Sequence, residues 1–180
     1  MERISALPQL TRQEIAEQKE REYAPVGTAI AMKYLNGTLS DAELPVELSR
    51  YEGERQHIIR RALLTGLCRE VRFGNTPRET RKALLGMTAV APQKKHFCEE
   101  AARSFEQILD ELEAAKEKMI GEFGAVAGQR MKELGISGSA VRPNLSENDR
   151  WNQELAAMQQ AYEPKLEMIR GKLMHELLQS

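Results

Sequence analysis

The stretch from Pro92 to Leu134 carries a helical pattern so long that the rest of the fold has to accommodate it. Apolar residues recur there at spacings of four and three, which is the stripe that a helix needs to bury one side. A helix of about 42 residues spans roughly 63 Å, more than a compact domain of this size requires. We therefore predict one long helix that ends at Gly135, a residue type that commonly stops helices. The stripe consists of Phe97, Ala101, Phe105, Ile108, Leu112, Ala115, Met119, Phe123 and Val126.

Three glycines interrupt the second half of this predicted helix. Gly121, Gly124 and Gly128 lie three and four residues apart, and each costs up to about 1 kcal/mol relative to alanine inside a helix. Small residues at that spacing allow another helix to approach closely, which is the interpretation we favour. The alternative is a bent junction between two helices. A phosphate-binding loop is not favoured, because such loops follow a strand and use a different glycine spacing.

A second striped segment follows after a short connection. Residues 135–146 contain glycine, serine and proline and predict a flexible turn. Helices joined by a short connection usually pack antiparallel, so we predict that residues 92–180 form a long antiparallel helical hairpin, similar to a coiled coil. Pro164 is expected to bend its second helix. The second stripe consists of Trp151, Leu155, Met158, Tyr162, Leu166, Ile169, Leu173 and Leu177.

Residues 1–91 show shorter helical patterns and predict a small N-terminal helical cluster. Its helices start at capping signals, in which serine or threonine precedes glutamate by three residues. We place helices at residues 12–23, at 25–35 with Pro25 in the first turn, at about 46–71, and after Thr76. Pro92 either ends the last of these or kinks it into the long helix. The predicted fold class is therefore all-α.

Composition agrees with the all-α class. The cysteines and the absence of long apolar runs bear on where the protein is located. Aromatic residues make up only 5% of the 180 residues, and β-branched residues are sparse beside Ala, Leu, Glu, Arg, Gln and Met. The two cysteines, Cys68 and Cys98, have no paired spacing, so we expect reduced thiols. The sequence shows no signal peptide and no long uncharged apolar run, which predicts a cytoplasmic protein that does not enter a membrane.

Charge is distributed unevenly along the chain although the net charge is −1. Residues 50–95 hold 11 Lys or Arg against 4 Asp or Glu and carry +7, whereas residues 1–49 carry −3 and residues 96–180 carry −5. The basic block coincides with a predicted helix, turn and helix, and residues 55–82 could bind nucleic-acid phosphates. The alternative that we favour places this surface against the protein's own acidic helix or an acidic partner. The candidate anion- or partner-binding residues are Arg69, Arg72, Arg78, Arg81 and Lys82.

Metal-binding and catalytic patterns are weak. Glu54 and His57 lie one helical turn apart, as in di-iron bundles, but those sites need a second copy of the motif and two more carboxylates. A bundle that brought Glu54 and His57 together with His96 and Cys98 could bind zinc, a hypothesis that we keep only as a second alternative. We predict no catalytic residues, no metal and no cofactor.

The leading functional hypothesis is a non-enzymatic interaction, scaffold or adaptor protein that acts through amphipathic helices. The length of apolar stripe exceeds what one small core can cover, which favours a homodimer or a protein partner. The first alternative is a nucleic-acid-associated protein that uses the basic segment.

Overall fold

The computed structural model describes residues 11–135 and 148–179. All regular structure within these ranges is helical, which confirms the predicted all-α class. No helix of the described residues combines the length and the apolar character needed to cross a membrane. A short 3-10 turn, Pro92–Lys94, precedes the fifth of the α-helices. The α-helices are α1 Arg12–Leu35, α2 Glu43–Leu48, α3 Gly53–Cys68, α4 Pro77–Val90, α5 Lys95–Glu133 and α6 Asp149–Leu178.

Capping boxes at Thr11 and Thr76 start α1 and α4 as the sequence predicts, and the same hydrogen-bond pattern forms at Ser40 in the turn before α2, whose N-cap is Ala42. In each, the serine or threonine hydroxyl accepts a hydrogen bond from the glutamate backbone N–H, and the glutamate carboxylate accepts one from the serine or threonine backbone N–H. Pro77 occupies the first position of α4, where its missing N–H is not needed. The boxes are Thr11 with Glu14, Ser40 with Glu43, and Thr76 with Glu79.

The predicted break near Pro25 is wrong, because α1 runs through this residue as a single helix. Proline removes one backbone hydrogen bond and crowds the preceding turn, but Pro25 lies on the exposed side of α1. The Thr28 hydroxyl donates to the Ala24 carbonyl at 3.2 Å beside it. Packing of the following residues against α3 holds the helix together across the proline.

The predicted helix at residues 46–71 is also wrong, because the chain forms α2 and α3 instead. Gly53 has φ +58°, a left-handed conformation that other residues rarely adopt. This residue redirects the chain between the two helices, and α3 ends at Cys68, with Arg69 as its cap. The change of direction at Gly53 is therefore what divides the predicted helix in two.

Two buried glycines set the separation of the first, third and fourth helices. A Cβ atom at Gly27 of α1 would lie 2.2 Å from the Ile59 carbonyl oxygen of α3, so this position excludes any side chain. A Cβ atom at Gly86 of α4 would lie 2.5 Å from the Tyr34 ring. Among the described residues, glycines therefore allow close contact between helices at α1 and α4, and not at α5.

One cluster of buried side chains joins α1, α2, α3 and α4 to the first part of α5 and the last part of α6. The predicted division at residue 91 remains a prediction, and the cluster draws side chains from both sides of it. The largest fully buried members include Tyr34, Leu44, Ile59, Leu63, Leu67, Met87, Phe105, Leu166, Leu173 and Leu177.

The long helix begins slightly later than predicted, because α4 ends at Val90 and the Pro92–Lys94 turn intervenes. Pro92 therefore separates two helices and does not lie within one. From Lys95 onward α5 is continuous to Glu133, and Gly135 has φ +73°, in agreement with the predicted stop. The predicted connection lies outside the described residues from 136 onward.

α5 and α6 contact each other at pairs in which residue numbers rise in one helix as they fall in the other. The two helices therefore run in opposite directions where they meet. Two segments extend beyond the core cluster, namely residues 110–134, which include the α5 cap Leu134, and residues 149–161 of α6; we call these two segments the arm. Pro164 lies inside a continuous α6. The linking pairs are Glu100 with Lys172, Glu111 with Lys165, and Phe123 with Trp151.

Candidate functional site

The predicted anion-binding residues lie around the end of α3 and the start of α4. Arg69 caps α3, Arg72 lies in the connection, and Arg78 and Arg81 lie on α4; all four are exposed. Lys82 is partly buried and lies on α4 beside them. The local sequence explains this arrangement, since the Thr76 capping box starts α4 soon after α3 has ended.

Lys82 has a structural contact that sequence reasoning missed. Its ammonium donates a 2.9 Å hydrogen bond to the Leu35 carbonyl at the end of α1, where carbonyl groups lack partners within the helix. It also lies 5.6 Å from the centre of the Tyr34 ring. The Tyr34 hydroxyl lies 2.7 Å from Asp41 Oδ1 and 2.9 Å from the Lys82 carbonyl oxygen. Burial, followed by the hydrogen bond to Asp41, raises the pKa of Tyr34. Lys82 therefore joins α4 to α1.

The four exposed arginines differ in their partners. Arg72 lies 3.7 Å from Glu70, whereas Arg69, Arg78 and Arg81 form no hydrogen bond or ion pair with the described residues. Earlier in the basic block, Arg61 pairs with Glu20 of α1 at 2.6 Å. Among described residues, the ion pairs that α3 of the basic block makes with another helix lead to α1, and Lys95 at the end of the block pairs with Glu99 of its own helix α5.

An arginine outside the basic block joins α6 to the connection that follows α3. Arg170 of α6 donates to the Val71 carbonyl at 3.0 Å and to the carboxylates of Glu163 and Glu167 at 2.6 and 2.7 Å. The Arg170 carbonyl in turn accepts a 3.7 Å contact from the Cys68 thiol. The only sequence signal was the spacing of two glutamates before an arginine on one helix, which does not reveal the distant carbonyl.

The proposed metal ligands do not come together. Glu54 pairs with Lys19 of α1, His57 and His96 are exposed, and Cys98 is buried. Among the described residues no group of three histidine, cysteine, aspartate or glutamate side chains is placed to hold a metal ion. The four-residue zinc hypothesis has no support in this arrangement.

Both thiols are buried and free of disulfide bonds. Burial raises the pKa of Cys68 to about 11 and also raises that of Cys98. A raised pKa keeps the thiol protonated at neutral pH, which disfavours a role as nucleophile.

An open groove of about 450 Å³ lies between α4 and α5, and we call it the α4–α5 groove. Its floor contains Leu84, Thr88, Cys98 and Ala102, and Leu85 is 50% exposed at its edge. Charged side chains line both walls. The charged lining residues are Arg81, Lys95, Glu99, Arg103 and Glu106.

The arm exposes apolar side chains and carries an open helix face. Ile120, Val126 and Leu134 are 44%, 66% and 73% exposed. A Cβ atom at Gly121, Gly124 or Gly128 would meet nothing within 4 Å, so no part of the described chain packs on these glycines. The expected close packing is therefore absent among the described residues, and so is the alternative break, because α5 is continuous.

Two surfaces of the described residues stay accessible, namely the α4–α5 groove and the open face of the arm. Comparison of the chain with protein-family models, curated proteins and solved structures finds no match.

Proposed function

We propose that this protein is a non-enzymatic helical interaction protein whose arm is an antiparallel, coiled-coil-like hairpin that pairs with the arm of a second copy. The observation that carries the proposal is the open face of α5, where three glycines leave space that no described residue fills. On a helix this face points away from Met119 and Phe123, which pack towards α6. An arm that used both sides would be covered by α6 on one side and by a partner on the other.

The charge pattern of the open face supports a second copy as the partner. Glu113, Glu117, Gly121, Gly124, Gly128 and Lys132 follow one another at spacings of four and three and therefore share this face. The spacing from Glu113 to Gly121 equals the spacing from Gly124 to Lys132. Two such faces in antiparallel contact would place Glu113 of each copy opposite Lys132 of the other. A two-fold symmetric interface requires this kind of self-complementarity.

The glycine spacing adds a reason for close contact in the same register. The midpoint of this charge pattern lies between Gly121 and Gly124, so the glycines of the two copies would face each other. Helices that meet at glycines can approach closely enough for their backbones to touch. The glycines lower the helix propensity of the arm, and a close interface would compensate for that cost.

The direct test is Gly124→Leu, with Gly171→Leu as its control. A side chain has free space at both positions, so both variants should keep the helical fold. We expect Gly124→Leu to shift the protein from dimer to monomer in sedimentation equilibrium, whereas Gly171→Leu should leave the dimer unchanged. A wild-type protein that stays monomeric at high concentration would exclude the proposal.

A cytoplasmic location belongs to the same proposal. Its support is the state of Cys68 and Cys98, which are free, buried thiols. Thiols persist in reducing compartments, whereas exported proteins more often form disulfides.

Nucleic-acid association is a second candidate, favoured by the three arginines that have no partner within residues 11–135 and 148–179. Replacing Arg69, Arg78 and Arg81 with glutamine should abolish binding to generic DNA or RNA at low salt and flatten the salt dependence of what remains. Fluorescence anisotropy at several salt concentrations measures both effects. Lys82 is left unchanged because its ammonium holds α4 to α1. Absence of any binding by the wild-type protein at low salt would exclude this candidate.

A further inference from the structure

The α4–α5 groove combines an apolar floor with an open top. Leu84, Cys98 and Ala102 supply apolar surface, and Leu85 keeps half of its side chain in contact with solvent. Six of the ten lining residues are exposed, so the groove is open along its length. Small-molecule pockets usually bury most of the ligand, which a groove of this form does not do. Two parallel walls with apolar residues between them suit the apolar side of a helix.

The charges of the groove are matched at one end and unmatched at the other. Near the turn that joins the two helices, Lys95 and Glu99 form a 3.5 Å ion pair. Arg81 lies about two turns before Thr88 on α4, and Arg103 lies farther along α5, so both arginines lie at the end away from that turn. Among the described residues neither arginine has a hydrogen bond or an ion pair.

The two arginines on opposite walls supply positive charge that suits a carboxylate. A guanidinium group presents several N–H donors in one plane and can bind both oxygens of a carboxylate. Glu106 is the only acidic lining residue at this end, so the arginines outnumber the carboxylates there. A partner that brought a carboxylate between them would balance the charge.

We propose that the α4–α5 groove binds an amphipathic helix of another protein, with aliphatic side chains on the floor and an Asp or Glu between Arg81 and Arg103. This partner is separate from the second copy proposed for the arm. The groove is lined by residues 95–106 of α5, which precede the arm. The inference therefore goes beyond self-association, and each can fail without the other. Charge complementarity and the half-exposed Leu85 select the helix as occupant.

The test is a selection from a phage-displayed library of single helices of about 15 residues, a length at which helices begin to be stable alone. The outward positions are randomised, and the wild-type protein is the target. We expect enriched peptides to carry aliphatic residues at i, i+3 or i+4, and i+7 together with an acidic residue. Leu85→Glu should abolish their binding, and Arg81→Gln with Arg103→Gln should weaken it by about tenfold.

The control variant is Val46→Glu, which replaces another exposed aliphatic residue, 59% exposed on α2 and outside the groove. It should bind the peptides as the wild type does, and circular dichroism should show that all variants are folded. The proposal is overturned if no enriched peptide depends on Leu85, or if binding ignores both arginines. It is also overturned if dodecanoate, an apolar carboxylate, binds in a Leu85-dependent manner and the peptides do not.

Discussion

At the scale of single residues, glycine has opposite roles in two parts of this chain. Gly27 lies where a Cβ atom would overlap the Ile59 carbonyl, whereas Gly124 and Gly171 have free space around the corresponding position. The sequence cannot distinguish these cases, because all three glycines lie in helical patterns. The difference arises from which helix happens to cross at that point.

We predict that Gly27→Ala lowers the free energy of unfolding by about 1–3 kcal/mol, as overpacking of a tight contact does. The new Cβ atom would also meet the Ala62 side chain at 2.8 Å, so α1 and α3 would have to separate. Urea denaturation followed by circular dichroism measures the effect.

The matched control for that substitution is Gly171→Ala. It should raise the stability by up to about 1 kcal/mol, since alanine favours the helix and its methyl group has room. Equal effects of the two substitutions would contradict the described α1–α3 contact.

At the scale of elements, local signals predicted the helix starts well and the helix interruptions poorly. Thr11, Ser40 and Thr76 form their boxes because every partner lies within three residues. The predicted break at Pro25 and the predicted continuous helix at residues 46–71 were wrong because the outcome at Pro25 and at Gly53 depends on more than local signals. Pro25 is tolerated on an exposed side, and Gly53 takes the left-handed conformation that redirects the chain between α2 and α3.

The candidate surfaces were less predictable than the helices for the same reason. The exposed arginines around α4 were recognised from the charge distribution, but the role of Lys82 depends on Leu35, which is distant in sequence. The α4–α5 groove combines Leu85 with Arg103, and nothing in the spacing of either residue indicates that they line one surface. Long-range packing, which periodicity does not encode, decides both features.

We predict that the three capping boxes make stability depend on pH in the acidic range. Hydrogen bonds from Thr11, Ser40 and Thr76, chiefly from their backbone N–H groups, lower the pKa of Glu14, Glu43 and Glu79 below the ordinary value of 4.5. A carboxylate with a lowered pKa in the folded state stabilises it above the unfolded pKa. This stabilisation is lost as the pH falls through the folded pKa. The midpoint of thermal unfolding should therefore decrease as the pH falls below 4.5.

Replacing the three capping glutamates with glutamine should flatten this dependence, because glutamine can still accept the capping hydrogen bond but does not titrate. The control replaces three exposed glutamates outside the caps, which should leave more of the slope in place. Thermal unfolding between about pH 3 and pH 6 compares the variants over the range in which carboxylates titrate. An unchanged slope in the capping variant would assign the acid sensitivity to other carboxylates. The control residues are Glu106, Glu122 and Glu133.

At the scale of the whole molecule, the core and the arm differ in the number of helices that contribute to them. The core cluster takes side chains from all six described helices, whereas the arm rests on two of them. Met119 and Trp151 are buried within the arm, yet Ile120, Val126 and Leu134 remain exposed. A two-helix extension of this kind has one covered side and one that faces solvent in the single chain.

We predict that Glu113→Lys weakens self-association about tenfold at low salt, because it would place like charges opposite each other at two symmetric positions. Lys132→Glu alone should have a similar effect, and the two changes together should restore association. Sedimentation equilibrium at low and high salt measures the dissociation constants, and high salt should reduce the differences. Additive losses in the double variant would rule out the proposed antiparallel register.

The contact between Arg170 and Val71 connects residues that are 99 positions apart in the sequence. During synthesis the first four helices leave the ribosome well before α6 does, and early segments fold first. The end of α3 at Cys68 and the connection that carries Val71 are therefore made long before the helix that covers them. Completion of the core waits for α6, and a ribosome that stops before α6 releases a chain with an uncovered apolar surface. Quality control that recognises such surfaces would act on this protein until Asp149–Leu178 has been added.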